Sequence, residues 1–295
     1  MNNKKNDPKS LIMMISSMIV FGSIGIFRRN LPLSSALISA SRGLIGGLFI
    51  LVFTLLTRKG AKERIAARKF FLLALTGAVI GINWMLLFES FNHTTIGIAM
   101  LCFNMQPTIV VLLSPIIFKE RLTAKKLICA AIAIFGMAMV SGVIGSTEAQ
   151  NGSFLGVQLG LMAAVCYSFV VIMNKKIVGV DTYRKTTIQL LFAGIVMLPY
   201  LLLKGGFGNE VFSPKTIILI LILGIVHTGV SYLLYFGSMD GLRAQTVAIS
   251  GYIEPVAALV FSALLLKEPL SVTGFIGAVM IIGSAIISES GEQGK

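Results

Sequence analysis

Two polar side chains stand directly before prolines inside apolar runs: Gln106 before Pro107, and Glu254 before Pro255. Proline lacks a backbone donor and clashes with the carbonyl four residues earlier, so each run should kink there and free a carbonyl. In a segment otherwise suited to lipid, a carboxyl costs about 2.5–3.5 kcal/mol on insertion scales and should face protein or a wet cavity. Glu254 can gain and lose a proton, whereas Gln106 cannot titrate. Two roles are open to Glu254: a proton-coupling group, or a polar anchor permanently bonded to backbone that Pro255 frees.

Arg42 lies well inside the second apolar run, too deep for an ordinary snorkelling loop residue. A guanidinium there presents a planar fork to a substrate carboxylate. It could instead pair with Glu254 or brace helix ends. Matching Arg42-Gly43-Leu44 to Gln189-Leu190-Leu191 makes Gln189 its counterpart in the second half. Trp84 and Phe88, like Tyr232 and Phe236, are spaced to share one helical face, which can line a cavity, pack in a core or meet lipid. The candidate substrate-binding set is Arg42, Trp84, Gln106, Tyr167, Tyr232, Tyr252 and Glu254, and Glu254 is the proton-coupling candidate. Asn83 and Asn104 are weaker polar candidates. His227 is read as hydrogen-bonded structure, Glu89 as a solvated residue near a span end, and His93 as a loop residue.

The elements that position these residues follow from composition. Of 295 residues, 56% are hydrophobic and 13% charged, and the mean hydropathy is +0.89. This is the profile of a polytopic helical membrane protein. The net charge of +13 would suit nucleic acid, but the basic residues sit in short loops between apolar runs, which is an orientation signal. No Cys/His cluster has metal-ligand spacing, no glycine loop suits a phosphate, and two histidines are poor material for general-base catalysis. The expectation is a non-enzyme without cofactor or metal. Cys102, Cys129 and Cys166 read as packing residues.

Ten spans are expected near 11–27, 34–56, 70–91, 95–118, 124–144, 154–178, 186–203, 214–238, 244–266 and 272–288. The basic segment before the first span resembles a signal-peptide start, but Arg28-Arg29 and further spans follow, so an uncleaved first helix is the better reading. With the N-terminus inside, only Arg28, Arg29, Lys204, Lys215 and Lys267 fall outside, which puts both termini in the cytoplasm. The sequons Asn92-His93-Thr94 and Asn151-Gly152-Ser153 fall on the outer face and are weak signals.

The chain repeats itself. The shift that carries Pro107 onto Pro255 also carries Gly81 onto Gly229, Trp84 onto Tyr232, Phe88 onto Phe236, Ser114 onto Ser262 and Lys119-Glu120 onto Lys267-Glu268. Five spans per half is an odd number, so the second half enters the membrane from the opposite side. The expected fold is an all-α membrane protein: about ten transmembrane helices in two inverted five-helix repeats around a central cavity. Its parts are a tail at 1–10, a first repeat at 11–146, an external linker at 147–153, a second repeat at 154–288 and a tail at 289–295. Glycine pairs at Gly43/Gly47, Gly77/Gly81 and Gly156/Gly160 should let helices approach closely.

These residues resemble the EamA family of the drug/metabolite transporter superfamily over nearly the whole chain. The landmarks are Phe21-Gly22-Ser23, Ala40-Ser41-Arg42-Gly43, Gln106-Pro107 with Lys119-Glu120-Arg121-Leu122, and Tyr252-Ile253-Glu254-Pro255 with Lys267-Glu268-Pro269-Leu270. Similar proteins often carry Trp where this chain has Phe21 and Tyr167, so an aromatic wall is kept. The resemblance implies a bacterial inner-membrane transporter of small metabolites, often an exporter. The partners expected are the lipid bilayer, a small-molecule substrate and, if Glu254 couples, protons; nucleic acid is not expected. An uncoupled facilitator or exchanger is the alternative, and a membrane-embedded receptor or enzyme belongs to another class.

Overall fold

A computed structural model describes residues 7–57, 65–118, 123–140, 154–203, 212–239, 241–242, 244–268 and 270–289. The linker at 147–153, the sequon at Asn151, the Lys119-Glu120 pair, Arg243 and the outer parts of both tails lie outside these residues. The described chain is helical, without strands. In order it forms α1 (Pro8–Gly22), α2 (Ile24–Arg29), α3 (Ser35–Thr57), α4 (Ala67–His93), α5 (Ile96–Phe103), α6 (Gln106–Phe118), α7 (Ala124–Val140) and α8 (Phe154–Lys176). Then follow α9 (Thr182–Ile195), α10 (Met197–Leu203), α11 (Pro214–Leu221), a π-helical segment (Ile222–Val230), α12 (Ser231–Met239), α13 (Ala244–Gly251), α14 (Ile253–Leu265) and α15 (Val272–Glu289).

Helix starts carry their own chemistry. Asp7 caps α1 by accepting from the Ser10 amide at 2.9 Å, with Pro8 in the first turn, where its missing N–H costs nothing. Asp181 caps α9 by accepting from the Tyr183 and Arg184 amides, and Ser213 with Pro214 opens α11 in the same way. Among the described residues, seven continuous stretches are long and apolar enough to cross a membrane: Pro8–Arg29, Ser35–Thr57, Ala67–His93, Ile96–Ile117, Phe154–Lys176, Thr182–Leu203 and Pro214–Met239. Where the other three spans are expected lie α7 and two shorter apolar helices, Ile253–Leu265 and Val272–Ser288.

Lipid offers little hydrophobic drive for helix association, so close backbone approach must hold the bundle together. The small residues supply it. A Cβ on Gly43 would lie 2.6 Å from the Gly194 amide nitrogen, and one on Gly77 would lie 2.5 Å from the Gln189 carbonyl oxygen. α9 is thereby held between α3 and α4. At the far side of the bundle, α7 meets α15 where Gly136 and Gly277 face each other's carbonyls.

The packing has a repeated plan. α1 lies against α12 and α14, and α8 lies against α4, α5 and α6. The first long helix of each half therefore packs on the later helices of the other half. The main core, including Phe88, Phe91, Leu190 and Leu223, draws on α3, α4, α5, α8, α9 and the π-helical segment, whereas Met14, Met18 and Phe21 of α1 form a separate cluster with Leu242.

Candidate functional site

Both proline-bearing runs are broken rather than merely kinked. The first stops at Phe103, turns through Asn104 and Met105, and restarts as α6 at Gln106. The second stops at Gly251, turns at Tyr252, and restarts as α14 at Ile253. Asn104 (φ −73°, ψ 4°) and Tyr252 (φ −75°, ψ −7°) adopt nearly the same backbone conformation at equivalent places. The physical cause is shared: Pro107 and Pro255 have no amide to return to the carbonyls of Phe103 and Gly251. Both of those residues line the cavity described below.

Gln106 and Glu254 thus sit in the first turns of two half-helices. The Gln106 side-chain oxygen is buried without a hydrogen-bond partner, and its backbone carbonyl accepts from the Ser168 hydroxyl at 3.1 Å. The Glu254 carboxyl makes no hydrogen bond or ion pair among the described residues. The anchor role, in which backbone freed by Pro255 holds this carboxyl, is absent from those contacts. α1 runs hard against this half-helix: a Cβ on Gly22 would come within 2.7 Å of the Glu254 carbonyl oxygen.

Arg42 is buried on α3. Its Nε donates to Thr228 Oγ1 at 2.8 Å, and Cζ lies 4.1 Å from the Trp84 ring centroid and 5.8 Å from that of Phe88. Stacking of this kind contributes about 0.5–2 kcal/mol, more when desolvated. Neither Nη group donates a hydrogen bond among the described residues, and no carboxylate is within 4.0 Å. Arg42 is therefore not locked in an ion pair with Glu254. The amide nitrogen of its counterpart Gln189 is committed on both sides, donating to Thr76 Oγ1 at 2.8 Å and Asn174 Oδ1 at 2.7 Å.

One cavity of about 460 Å³ brings the candidates together. Arg42, Trp84, Gln106, Tyr167, Tyr232, Tyr252 and Glu254 all line it, and its volume suits a small organic molecule. Its aromatic wall is interlocked, with Phe21 and Phe103 also in the lining and Phe236 behind it. Tyr167 meets Phe103 edge-on at 5.5 Å, Tyr232 meets Phe21 edge-on at 5.3 Å, and Phe236 stacks on Tyr232 at 5.7 Å. Phe88 and Phe236, grouped by spacing with Trp84 and Tyr232, do not reach the cavity. Phe88 is 0% exposed in the core, because the α4 face is wider than the opening. Asn83 is also absent from the lining: its amide donates to the Ala163 carbonyl at 2.6 Å and ties α4 to α8. Asn104 does line the cavity.

Sequence reasoning missed Tyr235 and Lys126, which also line the cavity. Tyr235 follows Tyr232 by one helical turn, a signal that was available. Lys126 had the look of an ordinary loop cation. It reaches the cavity with Ser284 and Ser288, from the start of α7 and the end of α15.

A polar clasp ties other helix ends together. Arg29 pairs with Glu268 at 2.6 Å and donates to the Phe91 carbonyl at 2.8 Å. Glu268 also accepts from the Ile96 amide at 2.8 Å and from the Ser262 hydroxyl. Lys267, with φ 54°, makes the left-handed turn that returns Glu268 to this position. The turn at Lys267-Glu268 holds α2, α4, α5 and α14 at one point. Glu89 keeps a side chain 42% exposed, as its place near a span end suggests, while it accepts from Ser35 Oγ at 2.7 Å and Asn92 Nδ2 at 3.1 Å and lies 3.4 Å from His93, the last residue of α4. His227 is buried, 3.0 Å from Ser23 Oγ and edge-on to Phe27. The cysteines are free, and among the described residues no three metal-binding side chains cluster.

A multi-pass helical bundle enclosing a mixed polar and aromatic cavity is the architecture of a membrane transporter. The model of the EamA-like transporter family matches residues 8–142 and again 154–289, and the chain belongs to that family. It is similar to the uncharacterized transporter YxxF of Bacillus subtilis (strain 168), at 28% identity covering 99% of this chain and 93% of that protein. It is also similar to a probable amino-acid metabolite efflux pump of Escherichia coli (strain K12), at 29% identity covering 66% of this chain and 68% of the pump. A protein of Salmonella typhimurium with the same description is 30% identical over 66% of this chain and 68% of that protein. A crystal structure superposes with a TM-score of 0.66, covering 95% of this chain and 97% of that one, at 18% identity, and so speaks for the fold alone.

Proposed function

We propose that this chain is a secondary active transporter that exports small amino-acid-like or amphipathic metabolites by alternating access. The observation that carries the reading is the cavity itself, in which, among the described residues, Arg42 leaves both Nη groups unbonded and Glu254 has no hydrogen-bond or ion-pair partner, between aromatic walls. A fork for a carboxylate, a carboxyl for an amine or proton and flat apolar faces suit a small zwitterion. Relatives described as probable amino-acid metabolite efflux pumps favour the same class of cargo.

The chain carries ten spans in two inverted five-helix repeats, bounded as the sequence suggests, with both termini in the cytoplasm of a bacterial inner membrane. The matching breaks at Asn104 and Tyr252 and the reciprocal packing of α1 and α8 support the repeat. Loop charge places Lys126 and Ser288 on the cytoplasmic side, so the cavity is inward-facing and the Arg29–Glu268 clasp seals the outer mouth. Arg42, Trp84, Gln106, Tyr167, Tyr232, Tyr252 and Glu254 bind the cargo, and Glu254 carries the coupling proton. Gln106, which cannot titrate at the equivalent place, favours the second reading, an uncoupled exchanger.

Counterflow in proteoliposomes, across a panel of amino acids, nucleobases and cationic drugs, tests the reading. Accumulation of carboxylate-bearing amino acids, above that of their amine analogues, is expected. Binding without counterflow of any solute would instead identify a receptor.

A further inference from the structure

We propose that Thr228 is a positioning residue for Arg42, and that the π-helical register of Ile222–Val230 exists to present its hydroxyl. The inference rests on the carboxylate-binding reading of Arg42 and adds what fixes that side chain.

The π segment changes which carbonyls its polar side chains reach. Thr228 Oγ1 donates to the Leu223 carbonyl at 2.9 Å and Ser231 Oγ to the Val226 carbonyl at 2.9 Å, both five residues back. A hydroxyl whose proton is committed to Leu223 turns its lone pairs outward, and one of them accepts the Arg42 Nε–H. With Nε held on one side and Trp84 against its face, the guanidinium keeps both Nη groups unbonded among the described residues, in a side chain that lines the cavity.

The close packing needed for this comes from α3 itself. Gly46, one turn from Arg42, lies against the Thr228 methyl group, where a Cβ would overlap it. Gly224 and Gly229 seat Ile45 and Phe49 on either side. In the other half the residue equivalent to Thr228 is Ile80, within the regular helix α4, and the residue equivalent to Arg42 is Gln189, whose amide nitrogen donates to Thr76 and Asn174. The π register accompanies the arginine. Short π segments recur at functional sites for this kind of local re-aiming.

Trp84 is the only tryptophan in the chain, so its emission reports the guanidinium stacked on it. In purified full-length protein, Thr228→Val should shift that emission in the same direction as Arg42→Gln, and Thr228→Ser should retain the wild-type spectrum. With binding of L-phenylalanine and phenethylamine read on the same samples, Thr228→Val should weaken the carboxylate-bearing probe about tenfold and leave the amine within about twofold. An unchanged emission in Thr228→Val, or equal weakening of both probes, would overturn the positioning role. Wild-type protein that does not prefer L-phenylalanine contradicts the carboxylate reading instead, and the emission comparison still decides the role of Thr228.

Discussion

At equivalent positions the segment 8–142 carries Arg42, Ile80 and Gln106, and the segment 154–289 carries Gln189, Thr228 and Glu254. The backbone treats the two alike around the prolines, with a break at Asn104 in one and at Tyr252 in the other. The side chains do not. Gln189 commits its amide nitrogen to Thr76 and Asn174, whereas Arg42, which lines the cavity, leaves two nitrogens unbonded among the described residues. Glu254 has no partner among the described residues, and Gln106 has a buried oxygen in the same condition. What the halves share builds the cavity, and what they do not share supplies its charge. A duplicated frame that places the Arg42 guanidinium and the Glu254 carboxyl on its wall can bind a dipolar solute in a single orientation.

The comparison breaks most visibly at Arg42. Arg42→Gln gives that position the chemistry of Gln189. Counterflow of carboxylate-bearing amino acids should fall by roughly tenfold to a hundredfold, from the loss of charge-assisted hydrogen bonds. Arg42→Lys should not restore it, because a point charge neither forks nor stacks as guanidinium does.

A smaller effect is expected at the clasp. Glu268→Ala leaves the Arg29 guanidinium and the Ile96 amide without their acceptor, which costs about 1–3 kcal/mol. A lower thermal-unfolding midpoint in detergent is the measurement, with binding of cargo retained. An unchanged midpoint would mean the clasp holds nothing.

Gln189→Ala should act on stability and not on selectivity. It strands Thr76 and Asn174 at a cost of about 1 kcal/mol, read as a modest fall in the unfolding midpoint, while probe preference stays at the wild-type value. A change in selectivity equal to that of Arg42→Gln would erase the distinction between the halves.

The smallest effect belongs to the N-terminal cap. The Ser10 hydroxyl, and then the Ser10 amide, hold the Asp7 carboxyl below its ordinary value. A lowered folded value means that this contribution is complete above the ordinary carboxylate range, near about 4, and fades as pH falls through the lowered value. Asp7→Asn should therefore flatten a slight acid-side decline in stability and leave neutral pH nearly unaffected.

Much of the site was legible because its signals are local. A proline's missing amide breaks its own helix wherever that helix packs, so Gln106-Pro107 and Glu254-Pro255 marked the cavity directly. Arg42 was legible because charge inside an apolar run needs a reason. Helical spacing placed Trp84 and Phe88 on one face but did not fix how far round the cavity reaches; the core took Phe88. The π segment was not legible at all, since it depends on Gly46 and Ile45 packing against Thr228 and Gly224 across the bundle. The Arg29–Glu268 pair joins residues far apart in sequence, and each looked like an ordinary end-of-helix charge.

The central claim is that the asymmetry between the two breaks places the coupling proton on Glu254. Glu254→Gln makes the second break resemble the first, and flux can then be recorded in proteoliposomes with and without an imposed pH gradient. The account predicts that gradient-driven accumulation disappears while exchange of cargo, though weakened by loss of a binding carboxyl, remains measurable. Undiminished dependence on the pH gradient in Glu254→Gln would contradict it.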